Sequence, residues 1–120
     1  MLSKFKSQTL YVQIKENQFT IKSIQNNETI TLDASTPFST NRLLIGEFTI
    51  AEELLKSGFE KLLNTFLNPF VIMHPLEKID EKLSEVEEKT LSELALNAGA
   101  REVKIWLGEE LTDTELLESL

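Results

Sequence analysis

From Leu10 onward the apolar positions alternate with polar ones. Leu10, Val12 and Ile14 stand between Tyr11, Gln13 and Lys15, Phe19 and Ile21 flank Thr20, and Ile30 and Leu32 sit among Thr29, Thr31 and Asp33. Period two marks strands with one buried face, so the first third of the chain predicts a three-strand meander. Glu16-Asn17 and Asn26-Asn27 interrupt it, and asparagine tolerates the positive φ of tight turns. Residues 34–46, with Pro37 and Asn41, read as a connection around the apolar run Leu43-Leu44-Ile45. The period then lengthens. Ala51, Leu54, Leu55, Gly58, Phe59, Leu62, Leu63 and Phe66 recur at helical spacing behind Thr49 and Glu52, which have capping-box spacing, and Asn68-Pro69 is the expected stop. Phe70 to Met73 is a continuous apolar run, as in a central strand covered on both faces, and Pro75 closes it.

The stretch from Leu83 to Leu107 is the most sharply punctuated. Ser84 and Glu87 form a second capping-box pair, Val86, Leu91, Leu94, Ala95 and Ala98 make a packing face, Gly99 supplies a helix stop, and Val103, Ile105 and Leu107 follow at period two. After Gly108, Thr112 and Glu115 repeat the capping-box spacing ahead of Leu116, Leu117 and Leu120, which predicts a short terminal helix. The order is therefore βββαβαβ with a short C-terminal helix. The expected architecture is α/β, a mixed five-stranded sheet of order 3-2-1-4-5. Two right-handed crossovers running in the same direction put both main helices on one face. On the other face Gln13, Lys15, Thr20, Lys22, Thr29, Thr31 and Lys104 tolerate water, whereas Tyr11, Phe70, Ile72 and Trp106 form an apolar patch. Three covers suit that patch: the chain's own tail, a second copy, or a foreign protein. These four residues are the candidate protein-binding site.

At 120 residues the chain is expected to make a single domain, 1–120, with a core sufficient to fold without disulfides. It has no cysteine, which fits a reducing compartment. The N-terminus lacks the features of a secretory signal and no apolar run is long enough to span a bilayer, so a cytoplasmic location is expected. The net charge of −8 is uneven. Residues 1–74 balance seven acids with seven bases, and the whole excess falls on residues 75–120, largely on the second helix and the acidic tail 108–120. An acidic half repels phosphate backbones, which argues against nucleic acid as a partner. Residues 1–7, MLSKFKS, read either as a flexible, frayed terminus or as a weak peripheral membrane contact in which Met1, Leu2 and Phe5 enter the interface beside Lys4 and Lys6.

Three stretches resemble the bacterial rod-shape actin family, MreB: MLSKFKS at the N-terminus, IGEFTIAEELLKSGF at the first helix, and LSEVEEKTLSELALNAGAREVKI at the second. With the meander, the resemblance spans about residues 1–107 and corresponds to the first subdomain of actin-like proteins. It implies a ribonuclease H-like fold and a setting in the cell-shape or cytoskeletal machinery, at the inner face of the membrane. The departures bear on mechanism. That family's first hairpin carries an acidic residue and a glycine-containing turn for nucleotide phosphates and metal, whereas this chain reads Val12-Gln13-Ile14-Lys15-Glu16-Asn17, with Gln13 at the acidic position and no glycine. After Leu107 the family's second phosphate loop is replaced by GEELTDTELLESL.

Other chemistry finds little support. His74 is the only histidine, at the expected end of a central strand, with no evident acid–base partner, and a surface or structural role is expected for it. The acid pairs Asp80-Glu81, Glu87-Glu88 and Glu109-Glu110 lack an oxygen-ligand loop, and neither a nucleophile elbow nor a G-x-x-x-x-G-K-[ST] loop occurs. No residue is assigned to catalysis, to a cofactor or to a metal. The expectation is a non-enzymatic actin-like module whose partner is another protein or a second copy. The alternatives are a reduced nucleotide- or phosphate-binding protein using Lys15 and the region of His74, or a membrane-surface adaptor.

Overall fold

The computed structural model describes residues 7–78 and 83–118, the side chain of Leu117 excepted. The elements run β1 (Thr9–Lys15), β2 (Gln18–Ser23), β3 (Glu28–Asp33), α1 (Phe48–Leu62), β4 (Phe70–Pro75), α2 (Glu85–Ala98), β5 (Glu102–Ile105) and α3 (Asp113–Glu118). The sheet order is β3-β2-β1-β4-β5, as the pattern predicts. The meander is antiparallel, and β4 joins β1, and β5 joins β4, in parallel. Asn17 and Asn27 turn the two hairpins with φ of 55° and 53°.

Register aligns the alternation across strands. Val12 lies opposite Ile21 and Met73, so these apolar side chains share one face; Tyr11 lies opposite Lys22 and Ile72 on the other. The first face carries Leu10, Val12, Ile14, Phe19, Ile21 and Leu32, and meets Leu55, Phe59 and Leu62 of α1 and Leu91 and Leu94 of α2 in the main core. Gly58 lets α1 approach closely: a Cβ there would come within 2.6 Å of the Leu32 and Ile21 side chains. The second helix is bounded as its sequence requires. The Ser84 hydroxyl accepts from the Glu87 amide at 3.2 Å and the Glu87 carboxylate from the Ser84 amide at 3.0 Å, while Gly99 at φ 123° ends the helix.

The first helix departs from expectation at both ends. It starts at Phe48 with Glu47 as an N-cap that makes no side-chain bond, so the Thr49–Glu52 box does not form. The reason is tertiary: the amides of Gly46 and Glu47 both donate to the Phe38 carbonyl at 2.8 Å, fixing the chain before Thr49 is reached. The helix stops at Leu62 rather than running to Asn68 because Gln8, buried at the start of β1, takes over its end. The Gln8 amide donates to the Leu62 carbonyl at 3.0 Å and accepts from the Asn64 amide at 2.7 Å. Phe66 therefore lies outside the helix and is 77% exposed. Val86, assigned to the packing face of α2, is 76% exposed, and β5 ends at Ile105 with Leu107 beyond it at the surface.

The 34–46 connection holds a core residue that composition does not reveal. Phe38 is fully buried and stacks on Phe19 with ring centroids 4.8 Å apart. The Asn17 carboxamide accepts from the Phe38 and Ser39 amides, each at 2.8 Å, so the first hairpin turn doubles as the anchor of this loop. Among the described residues no helix is long and apolar enough to cross a membrane. Met1, Leu2 and Phe5 lie outside the described residues.

The two N-termini make opposite predictions. Ser84→Ala removes a formed cap and lowers unfolding free energy by about 1 kcal/mol. Thr49→Ala removes none and changes it by less than about 0.5 kcal/mol. Urea denaturation of the two variants measures the difference.

Candidate functional site

The parallel strands β1 and β4 are central, and both of their faces need cover. The face opposite α1 and α2 contains a second, smaller core made of Tyr11, Ile24, Ile72 and Leu116, with Trp106 and Leu111 packed against it. The chain's own tail supplies the cover. Leu116 of α3 is 1% exposed, although α3 has only six residues and an isolated helix of that length is not stable in water. Its seat holds it in place.

The centre of that seat is polar. His74, two residues beyond Ile72, is 1% exposed, and its Nδ1 lies 2.6 Å from the Tyr11 hydroxyl while its Nε2 lies 2.9 Å from the Gly108 carbonyl oxygen. A carbonyl only accepts, so Nε2 carries the proton and Nδ1 accepts from the tyrosine; the tautomer follows from the partners. The Tyr11 oxygen in turn accepts from the Leu111 amide at 3.2 Å and from the Gln13 amide at 3.5 Å. Two side chains 63 residues apart thus grip two backbone groups of the tail. Burial holds the His74 pKa below the ordinary imidazole value and raises that of Tyr11 above the ordinary phenol value, so the pair is neutral at pH 7.

Around this centre the contacts are exposed. Gln13 donates to the Glu110 carboxylate at 2.7 Å, and Lys22 pairs with Asp113. Thr112 caps α3, accepting from the Glu115 amide at 3.2 Å while the Glu115 carboxylate accepts from the Thr112 amide at 2.9 Å, and these bonds lower the Glu115 pKa. The Trp106 indole donates to the Glu109 carbonyl at 2.8 Å. Gly108 makes the turn at φ 149°, where the Trp106 ring would also crowd a Cβ at 3.3 Å. Exposed pairs of this kind contribute about 0–1 kcal/mol each.

Of the four residues singled out from the sequence, the structure brings all to the face opposite α1 and α2 but gives them different settings. Tyr11 and Ile72 are buried beneath the tail, Trp106 is half-buried at its rim, and Phe70 is half-buried away from it with the Arg101 guanidinium 5.5 Å from its ring centre. Leu120 and the Leu117 side chain lie outside the described residues. His74 has the partner that the linear sequence conceals: Tyr11 stands on the same face one strand away, a proximity set by register. Lys15 is exposed at the end of β1, whereas His74 is sealed, so the two do not form an open phosphate site. Both ring nitrogens and the tyrosine hydroxyl are engaged with the chain itself, and among the described residues no group of three metal-ligating side chains comes together.

Fold and site together define an α/β domain with a mixed five-stranded sheet, two helices on one face and a peptide strap on the other. No protein-family model matches the sequence. The uncharacterized protein YjaA of Escherichia coli (strain K12) is 33% identical over 97 residues, which cover 74% of this chain and 75% of that protein, and the chain belongs to the same family.

Two outcomes follow from the buried pair. Tyr11→Phe leaves the His74 Nδ1 and the Leu111 amide without their partner and lowers stability by about 1–3 kcal/mol, measured by urea denaturation. Because the His74 pKa is depressed in the fold, the unfolded chain binds the proton first as pH falls. Stability is therefore fully present above the ordinary imidazole value of about 6.5 and declines as pH falls below it toward the depressed folded-state value, and His74→Gln flattens that part of the profile.

Proposed function

We propose that this chain is a non-catalytic, actin-like protein-interaction module, working with the bacterial cell-shape or cytoskeletal machinery on the cytoplasmic side of the membrane. One observation carries the binding half. On the face opposite the two main helices the sheet already holds a peptide, residues 108–116 of the same chain, which runs from the carboxyl end of β4, where His74 meets Gly108, across Tyr11 and Ile72 to Ile24, held by a buried leucine, two backbone hydrogen bonds and a ring of exposed polar contacts. The carboxyl ends of parallel strands are where open α/β sheets take their ligands. Here Gln13, which the actin resemblance puts at the place of an acidic metal-binding residue, donates to Glu110 instead. An acidic segment lying there disfavours a polyphosphate by like charge.

The actin-like half has separate support, namely the strand order β3-β2-β1-β4-β5 and the three stretches that resemble the rod-shape actin family. YjaA carries no stated activity that bears on it.

Isothermal titration of the full chain with ATP and magnesium is the direct test. No stoichiometric binding is expected; tight binding followed by hydrolysis overturns the non-enzymatic reading.

A further inference from the structure

The seat of α3 is larger than α3. Open crevices run along both sides of it, one of about 380 Å³ between Gln13, Lys22 and Asp113, the other of about 330 Å³ between Lys104, Trp106 and Glu115. The second continues past Ile72 and Lys104 into a groove of about 620 Å³ that reaches Phe70. Within the seat the sheet presents two cations, Lys22 and Lys104, to the acidic tail, and Lys22 already pairs with Asp113. Helix α3 itself is short, contributes Leu116 as its deeply buried side chain among the described residues, and is tied by the exposed Lys22–Asp113 pair, whereas the part-buried bonds of His74 and Tyr11 hold Gly108 and Leu111 ahead of it.

We propose that this seat is a docking site for an acidic amphipathic helix of another protein, longer than α3, which displaces α3 by putting an apolar side chain where Leu116 lies and carboxylates against Lys22 and Lys104. The inference rests on the protein-binding reading and gives the partner its chemistry. It also makes the tail a competitive cover: access is reduced by the fraction of molecules in which α3 is seated, so weakening the tail tightens binding of the incoming helix. The longer helix gains the half-buried Phe70 and Trp106, which α3 leaves partly uncovered.

The test uses the full chain and a fluorescent peptide with the sequence of residues 108–118, read by anisotropy. Leu116→Asp removes the apolar anchor from the tail and leaves the seat intact; Asp113→Ala, a gentler change, removes only the partner of Lys22. Both variants are expected to bind the peptide about tenfold or more tightly than the unaltered chain, in line with a larger fraction of open seats. A peptide with its acids changed to lysine is expected to bind about tenfold more weakly, and Lys22→Glu introduced into the Asp113→Ala chain to weaken binding of the acidic peptide similarly.

Failure of both tail variants to bind while they retain the far-ultraviolet circular dichroism of the parent overturns the proposal. So does equal binding to the variants and the parent, which puts the peptide elsewhere. Dimers of the parent chain whose cross-links join α3 of one copy to the sheet of the other would make a second copy the occupant and overturn the assignment to another protein. Hydrolysis of ATP would defeat the non-catalytic reading whatever the peptide does, and a chain inert to both probes loses only this docking site.

Discussion

Two parallel strands in the middle of the sheet, β1 and β4, need cover on both sides, and the rest of the molecule answers that need. Leu10, Val12, Ile14, Val71 and Met73 face α1 and α2, and the main core forms there. Tyr11, Ile72 and His74 point the other way, where no long helix lies. An apolar surface with a buried imidazole at its centre would be unfavourable in water. The tail resolves both problems, Leu116 covering the apolar part while the Gly108 carbonyl and Leu111 amide complete the hydrogen bonds of the Tyr11–His74 pair.

The two faces differ in how firmly they are closed. The helix side is continuous, with Phe19, Phe38, Phe59 and Leu94 fully buried and the loop carrying Phe38 tied to the turn at Asn17. The strap side is a satellite core that holds, among the described residues, Tyr11, Ile24, Ile72 and Leu116, surrounded by exposed contacts and open crevices. Local opening draws on the region with the fewest buried apolar contacts. That difference in packing links the fold to its proposed role, because a face covered, among the described residues, by the short segment 108–118 can be opened without disturbing the main core.

The charge distribution has the same logic. The acidic excess of the chain falls on residues 75–120, and part of it sits directly on a sheet face that offers Lys22 and Gln13. An acidic tail that reads along the sequence only as an argument against nucleic acid is, in three dimensions, a ligand for its own sheet.

The order of elements, the strand order, the turns at Asn17 and Asn27, and the second helix with its Ser84–Glu87 box and Gly99 stop were legible in the sequence, because local periodicity and capping chemistry determine them. The wet and greasy faces followed from the same alternation. What only the tertiary structure decided depends on register and distant partners. Gln8 ends α1 at Leu62, seven positions before the proline that would otherwise stop it, and the Phe38 carbonyl starts it ahead of Thr49. The pairing of Gln13 with His74 puts Tyr11 and the lone histidine within a hydrogen bond across 63 residues. Of the three covers that the patch admitted, the chain's own tail lies over Tyr11 and Ile72 though not over Phe70, because the eighth element, α3, and the segment before it reach across the sheet and supply both a leucine and two backbone partners to the same spot.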